Sequence, residues 1–338
     1  MSTTLKGTIR GGVTFSATPA TTKKRYGFRI NKTISDPDKR VEYLYDAVGL
    51  TPAKMNFTTG TFDYGSWKDK WFVAKNKPCM LNSNGTVDYY LDPNDYTKKE
   101  DGTTSDVSNT SYSGNAMASI PLCWVYRYED DTYEYEIVSE TQFDSNYKAY
   151  AHTNSDGSIV NYFYYSMFGG SGNSSKIRSL ANKKLCYGLN ATQEVNACKS
   201  NGSRWFNHTW SQRNLIRTLT VLMCKSTYTQ GCFGNGNSRN GTSANDLLTT
   251  GTLVNKGQFY GTSDFKSQVK IFHIEKFWGD QWDRISGLVS NSGSYKVFPS
   301  LSSKSWINTG IKVSNGSGYI TKGKVNEYGF LPTTFTSG

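Results

Sequence analysis

The three histidines are the residues best suited to acid–base or metal chemistry in this sequence, and they are widely separated. His152, His208 and His273 have no second histidine or cysteine at the spacing of metal ligands, and the HExxH pattern is absent. The GxSxG pattern around a nucleophilic serine is absent as well. These residues therefore predict no metal site and no cofactor. A Ser-His-Asp triad assembled from distant positions stays open, because one sequence does not show which residues meet in the fold.

Four acidic residues close together could supply paired carboxylates for glycoside hydrolysis: Asp130, Asp131, Glu134 and Glu136. The surrounding residues 132–138 alternate in polarity, which predicts a strand entered through a turn at Asp130-Asp131. Glu134 and Glu136 would then face solvent, with the tyrosines turned inward or across the ladder. Acidic side chains are ordinary at a hairpin tip and on a solvated strand face. We therefore predict that the protein is not an enzyme.

Six cysteines, at positions 79, 123, 186, 198, 224 and 232, show no CxxC spacing, so zinc ribbons and thioredoxin-type motifs are not expected. Cys79 and Cys123 lie in apolar stretches and are predicted as buried free thiols. Cys224 and Cys232 flank a loop and could pair, although nothing in the sequence requires it.

Basic residues exceed acidic ones by 11, but they are scattered. Their runs, such as Lys23-Lys24-Arg25, never exceed three residues, whereas phosphate binding needs clustered lysine and arginine. We therefore expect no nucleic-acid partner. An apolar leader and apolar runs of transmembrane length are also missing, so neither a signal peptide nor membrane insertion is predicted.

Aromatic clusters raise a further possibility, a tryptophan-lined ligand site. Residues 274–287 hold Trp278 and Trp282, which would share one face of a helical turn. Trp205-Phe206 could stack on a sugar in the same way. Because large aromatics mostly contribute buried area, the favoured interpretation is a core-forming turn at 274–287 and packing of Trp205-Phe206 onto a helix start.

The elements that must position these residues are mostly short strands. Aromatics make up 14 % of the chain and glycines number 32, which suits strands joined by turns. Asn84-Gly85 predicts a hairpin, and residues 116–168 predict a β-meander that includes strands at 147–152 and 160–165. Residues 169–175 form the best linker or loop candidate. The tail beyond residue 290 has further strand patterns.

Two helices stand out against this background. Leu215, Leu219 and Leu222 recur at helical spacing behind a possible cap at Thr209 or Ser211. A shorter helix is predicted around residues 191–199. A loop rich in glycine and asparagine follows at 228–245.

The order of three segments, Tyr164–Phe168, Arg204–Trp210 and Glu275–Trp282, resembles tailed-bacteriophage tail or minor virion structural proteins. Their C-terminal part is similar to the C-type-lectin-like fold of the major tropism determinant and of the variable proteins of diversity-generating retroelements. Members often carry Asn after Trp-Gly and a third Trp, where this chain has Asp280 and Arg284. These departures put the subfamily in doubt.

The resemblance implies an α+β, mostly β fold: a β-rich N-terminal region followed by a C-type-lectin-like domain with one or two helices. It divides the chain into an extended arm (1–25), a β-rich virion or assembly domain (26–168), the lectin-like domain (169–290) and C-terminal strands that complete or extend the fold (291–338). The structural core markers would be Trp210, Trp278, Gly279 and Trp282.

The implied function is that of a bacteriophage virion protein, most simply a receptor-binding, tail-tip or fibre protein. Its partners would be other virion proteins and a host cell-surface glycan or protein, and it would act as a homotrimer in the virion. The candidate binding residues lie on loops: Tyr228, Phe233, Asn235, Asn237, Arg239 and Arg284. The alternative is a head-fibre, decoration or tail-connecting protein without receptor contact.

Overall fold

The computed structural model describes residues 6–9, 13–16, 23–238, 247–299, 305–314 and 319–336. The strands are β1 (Lys6–Ile9), β2 (Val13–Ser16), β3 (Arg25–Asn31), β4 (Val41–Tyr45), β5 (Lys54–Asn56), β6 (Thr61–Asp63), β7 (Lys77–Leu81), β8 (Val87–Tyr90), β9 (Asn115–Pro121), β10 (Trp124–Glu129), β11 (Tyr133–Ser139), β12 (Tyr162–Ser166), β13 (Ser171–Asn173), β14 (Lys176–Arg178), β15 (Lys270–Ile271), β16 (Ile274–Glu275), β17 (Leu288–Asn291), β18 (Ser294–Val297), β19 (Ile307–Lys312), β20 (Tyr319–Asn326) and β21 (Gly329–Thr336). The helices are α1 (Trp71–Ala74), α2 (Ala191–Lys199), α3 (Trp210–Cys224) and α4 (Thr229–Phe233), with a 3₁₀ turn at Tyr150–His152.

Two four-stranded antiparallel sheets are the largest sheets among the described residues. Their strand orders are β10-β11-β3-β4 and β12-β9-β7-β8. Every residue of β9 is buried, which fits its place between β12 and β7. With 34 % strand and 12 % helix, the prediction of an α+β, mostly β protein is confirmed.

Both predicted helices are present and both begin with a capping box. In α3 the Thr209 side chain accepts from the Gln212 amide and the Gln212 side chain accepts from Thr209 N–H. Asn190 and Gln193 make the same reciprocal pair at α2. Helix α3 ends where Lys225 adopts a left-handed conformation (φ 53°).

One hydrophobic cluster runs through the described residues from Tyr26 to Phe277. Helix α3 contributes Leu215, Leu219 and Leu222 to it, and the Tyr43 hydroxyl donates to the Leu222 carbonyl oxygen at 2.8 Å. Side chains on both sides of the predicted boundary at 168/169 thus share a core. The domain division itself stays a prediction.

The face of β11 that carries Glu134 and Glu136 is buried, whereas the prediction placed it in solvent. Glu136 is fully buried and ion-paired with Arg127 (2.9 Å) and Arg217 (2.5 Å), and it accepts from the Thr218 hydroxyl. Helix α3 supplies Arg217 and Thr218, so protein groups replace water around this carboxylate. The alternation was predicted correctly, but the outward face for Glu134 and Glu136 is wrong.

Burial alone would raise the pKa of Glu136, but Arg217 and Arg127 outweigh it and leave that pKa below its usual value. Glu134 is buried as well, yet it forms no ion pair within 4 Å among the described residues. The tyrosines of β11 lie on the more exposed side, where Tyr135 stacks on Tyr128 at 4.3 Å between ring centroids.

Three other local predictions have clear outcomes. The Asn84-Gly85 hairpin is confirmed, because β7 and β8 pair and Gly85 has φ 84°. The predicted strand at 147–152 is not formed: Lys148 makes an isolated β-bridge with Val125, and Tyr150–His152 is the 3₁₀ turn. Of the two interpretations of 169–175, the linker is wrong, because Ser171–Asn173 form β13 and pair with β14, while residues 174–175 are the turn between the two strands. A Cβ on Gly169 would lie 2.4 Å from a methyl of Leu185, so this glycine permits close packing.

All six cysteines are free, and Cys79 and Cys123 are buried as predicted. Of the predicted arm, β1 and β2 pair as an antiparallel hairpin. All other residues up to 22 lie outside the described ranges.

The C-terminal strands are confirmed, and part of them docks onto the main body. The sheet β17-β18-β19 and the hairpin β20-β21 follow residue 287. Glu129 accepts from the Val325 amide at 3.0 Å, Asn214 accepts from the Phe330 amide at 3.0 Å, and the Tyr150 hydroxyl donates to Glu327 at 2.8 Å. None of the described helices combines the length and apolar character needed to cross a membrane.

Candidate binding cleft

A cleft of about 390 Å³ opens between β12, β14, α2 and two irregular segments. Its lining includes the β12 tyrosines and residues on either side of α3: Tyr162, Tyr164, Arg178, Glu194, Arg204, Trp205, Phe206, His208, Gln281, Trp282, Asp283 and Arg284. A second cavity, beside Arg127 and Tyr328, measures only about 10 Å³. Only the first has room for a ligand larger than water.

One wall of the cleft is the segment 202–206, which is fixed onto the β7–β8 turn. The indole N–H of Trp205 donates to the Ser83 carbonyl oxygen at 2.8 Å. Gly202 has φ 151°, and a Cβ there would lie 2.3 Å from the same oxygen. The turn also receives the Arg204 side chain, whose Cδ lies 3.7 Å from the position of a Cβ on Gly85. Close backbone approach thus places Arg204 at the edge of the cleft.

Another wall comes from residues 281–284, which follow a segment, 276–280, that does not form a helical turn. Lys276, Gly279 and Asp280 have φ values of 61°, 91° and 61°, which interrupt any right-handed helix. The Trp278 indole N–H donates to the Gly234 carbonyl oxygen at 3.0 Å. A Cβ on Gly279 would lie 2.8 Å from the amide nitrogen of Asn237. Trp278 and Gly279 therefore pack onto residues 234–237.

Trp282 does not belong to the core, so its prediction as a core marker is wrong. Its side chain is 100 % exposed at the mouth of the cleft. The physical reason is the run of left-handed residues before it, which turns the chain so that Trp278 packs inward while Trp282 does not. Trp210, the remaining core marker, is half-buried at the first residue of α3, where its amide donates to Ser286 O at 2.8 Å.

Both carboxylates that line the cleft are paired with cations. Glu194 accepts from Arg284 at 2.5 Å, and Arg284 also donates to the Leu189 carbonyl oxygen at 2.7 Å. Asp283 is 2.7 Å from Lys276 and 3.9 Å from Arg213. The oxygens of both carboxylates are thus already engaged by cations of the protein itself.

The histidines are held in the neutral form by burial. His208, on the cleft wall, stacks on Tyr165 at 5.3 Å between ring centroids. Burial, with a smaller contribution from Arg213, lowers its pKa to about 4. Burial likewise lowers the pKa of His152 to about 3. His208 is therefore uncharged near neutral pH, and no group of three or more His, Cys, Asp or Glu side chains suited to a metal occurs within the described residues.

A separate buried polar cluster lies away from the cleft, around β15 and β16. The Tyr96 hydroxyl is 2.7 Å from Nδ1 of His273, and the Lys270 ammonium lies over the Tyr96 ring at 4.2 Å. Glu275 accepts from the amides of Gly251 (2.6 Å) and Leu253 (3.1 Å). All four side chains are at most 2 % exposed, so we assign them a structural role.

Three of the six predicted loop candidates are not available for binding. Phe233, Asn235 and Asn237 are buried, which contradicts their prediction as exposed contacts. Phe233 stacks on Phe62 at 5.5 Å between centroids, and Asn235 donates to Ser263 O at 3.0 Å. These side chains order neighbouring loops. Tyr228 is half exposed, and Arg239 lies outside the described residues.

Arg284 is the one predicted binding residue that lies in the cleft. Its contacts, with Glu194 and the Leu189 carbonyl oxygen, place it beside α2, and its side chain is half exposed. Sequence reasoning missed Tyr162 and Tyr164, and it assigned Trp205, Phe206 and Trp282 to packing. The alternation in β12 separates Tyr162 and Tyr164 from Phe163 and Tyr165, but it does not tell which pair is exposed.

Comparison with known proteins finds no matching family model, no matching curated protein and no matching solved structure. The resemblance to phage virion proteins and to the C-type-lectin-like fold therefore stays a prediction. Functional inference depends on the chemistry of the cleft.

Proposed function

We propose that the protein is a tailed-bacteriophage virion protein that attaches to a glycan on the host cell surface through this cleft. The observation that carries the glycan part is the open cleft with a fully exposed tryptophan at its mouth. Aromatic faces can cover the C–H faces of sugar rings, while neighbouring polar groups bind the hydroxyls. The virion part rests on the resemblance of Tyr164–Phe168, Arg204–Trp210 and Glu275–Trp282.

The exposed aromatic side chains are difficult to explain by folding. Burying a large apolar side chain typically stabilises a protein by about 1.5–3 kcal/mol, and Trp282 gains none of this. Phe206 and Tyr162 at the same cleft are 36 % and 38 % exposed. A ligand that covers these rings would bury the apolar area that remains exposed to water after folding.

Binding of labelled protein to intact host cells tests this proposal. We expect adsorption, its loss after periodate treatment of the cells, and a reduction of about tenfold in Trp282→Ala, since aromatic anchors often carry most of a binding energy. Tyr228→Ala is the matched control, because Tyr228 is an exposed aromatic that does not line the cleft. Adsorption that depends on Tyr228 and not on Trp282 would move the site to the loop. Absence of adsorption would rule out attachment.

A structural virion protein without receptor contact is the second candidate, and one observation favours it. Four exposed apolar side chains lie between β17 and β20: Val289, Trp306, Ile307 and Ile320. Exposed apolar surface of this kind can form contacts with another chain. Those contacts would join either the copies of a homotrimer or neighbouring virion proteins.

A further inference from the structure

The charged groups of the cleft do not cancel. Glu194 is paired with Arg284, and Asp283 with Lys276. Two lining cations, Arg178 and Arg204, have no carboxylate within ion-pairing distance among the described residues. The cleft therefore carries an excess of positive charge once its own ion pairs are accounted for.

The two unpaired arginines differ in what their guanidinium groups already bind. Arg178 donates to three backbone carbonyl oxygens, of Thr110 (3.0 Å), Tyr112 (2.5 Å) and Gly114, so its charge is used to fix the chain. Arg204 is exposed and makes no such contact within the described part of the chain. Only Arg204 offers a free guanidinium to a ligand.

The position of Arg204 is fixed by its neighbours and not by its own hydrogen bonds. Trp205 and Gly202 hold the segment against Ser83, and the Arg204 stem lies over Gly85. The adjacent residue Phe206 presents an exposed ring to the same cleft. A cation next to an aromatic surface matches a sugar ring that carries an acidic substituent, because a planar guanidinium pairs well with carboxylate and phosphate groups.

We infer that the cleft selects an acidic saccharide, with Arg204 receiving its carboxylate or phosphate group. This inference rests on the proposed glycan attachment. It adds the class of glycan and the residue that discriminates it. Neutral glycans of the same shape would bind more weakly, and the difference would shrink as salt screens the charge.

Calorimetric titration with three defined probes tests the inference: trigalacturonic acid, neutral galactotriose and a trimer of glycerol phosphate. We expect at least one acidic probe to bind about fivefold more tightly than galactotriose at low salt, a modest preference suited to one exposed charge pair. The stronger acidic probe identifies carboxylate or phosphate as the recognised group.

Arg204→Gln removes the charge while keeping a polar side chain, and we expect it to abolish the preference. Lys68→Gln is the matched control, because Lys68 is exposed, does not line the cleft and contributes the same unit charge. The Lys68→Gln variant should prefer the acidic probe over galactotriose by the same factor as the natural protein. Acidic probes that bind no more tightly than galactotriose, or a preference that survives in Arg204→Gln, would overturn the inference. Adsorption to cells, measured separately, would still decide whether attachment itself is correct.

Discussion

Glu136 shows how a residue expected on the surface can become the centre of a buried network. Its carboxylate holds two arginines, one from the sheet and one from α3. Removing one member of a buried pair leaves the other charge without compensation, and such changes typically cost about 3–5 kcal/mol. We therefore expect Glu136→Ala to lower the free energy of unfolding by that amount in urea denaturation.

The control is Glu42→Ala, which breaks an ion pair with Arg29 at 2.6 Å whose members are 41 % and 32 % exposed. Exposed pairs contribute about 0–1 kcal/mol, so this variant should unfold almost like the natural protein. Equal losses in the two variants would contradict the buried network.

Glu134, two residues away on the same face, predicts a pH dependence of stability. Burial raises its pKa to about 7, against an ordinary value of 4.5, with Arg217 opposing and Glu136 reinforcing the shift. Because the folded state favours the protonated form, the stabilisation is complete below pH 4.5 and is lost as the pH rises through 7. The difference is on the order of 3 kcal/mol.

We expect Glu134→Gln, which stays neutral, to lose less stability than the natural protein between pH 5 and pH 8. The measurement is the urea midpoint at each pH, in the natural protein and the variant. Lys32 and Glu129 also act on Glu134, but they are present in both proteins and so are controlled. Parallel pH profiles would show that Glu134 titrates normally.

At the scale of elements, the turn that separates Trp278 from Trp282 depends on Gly279. This residue combines φ 91° with a Cβ position only 2.8 Å from the Asn237 amide. Gly279→Ala should therefore lower stability by about 1–3 kcal/mol in addition to the strain of a positive φ. Thermal unfolding followed by circular dichroism measures the loss.

Gly157→Ala is its matched control, because Gly157 has φ 84° and open space around the Cβ position. That variant carries the conformational strain alone, about 1 kcal/mol. If both substitutions cost the same, the contact with Asn237 is not what requires glycine at 279.

The elements that could be predicted are those specified by local signals. Helix α3 has a capping box and a leucine stripe within its own sequence, so both its start and its buried face follow from adjacent residues. The β7–β8 hairpin is specified by Asn84-Gly85 in the same way. The buried face of β11 was not predictable, because it depends on Arg217, which lies 81 positions away in the chain.

Most of the cleft could not be predicted from the sequence either, because it also depends on residues that are far apart in the chain. Tyr162, Glu194, Arg204 and Trp282 come from four distant segments, and none has a spacing that marks a site. The wrong predictions concerned which side chains are exposed to solvent. Trp282 looked like core because of its size, and Asn237 looked exposed because of its polarity, although its amide donates to buried Asp280 at 2.6 Å.

At the scale of the whole molecule, the exposed apolar side chains of the C-terminal strands bear on assembly. Trp306, just before β19, is 44 % exposed, Ile307 at the start of β19 is 39 % exposed, and Ile320 on β20 is 53 % exposed. If the protein is the homotrimer that the resemblance implies, these side chains are the natural contacts between copies. Sedimentation velocity should then give three times the mass of one chain.

The double variant Trp306→Ser, Ile307→Ser should shift that species toward the monomer, since loss of two apolar anchors removes much of the driving force for association. Tyr228→Ser, a similar loss of exposed aromatic area on another loop, should leave the trimer intact. A trimer that persists in the double variant would place the contact elsewhere. A monomeric natural protein would instead assign the apolar strands to other virion proteins. Host attachment would then depend on single cleft sites, and weak binding by each would require many copies on one virion.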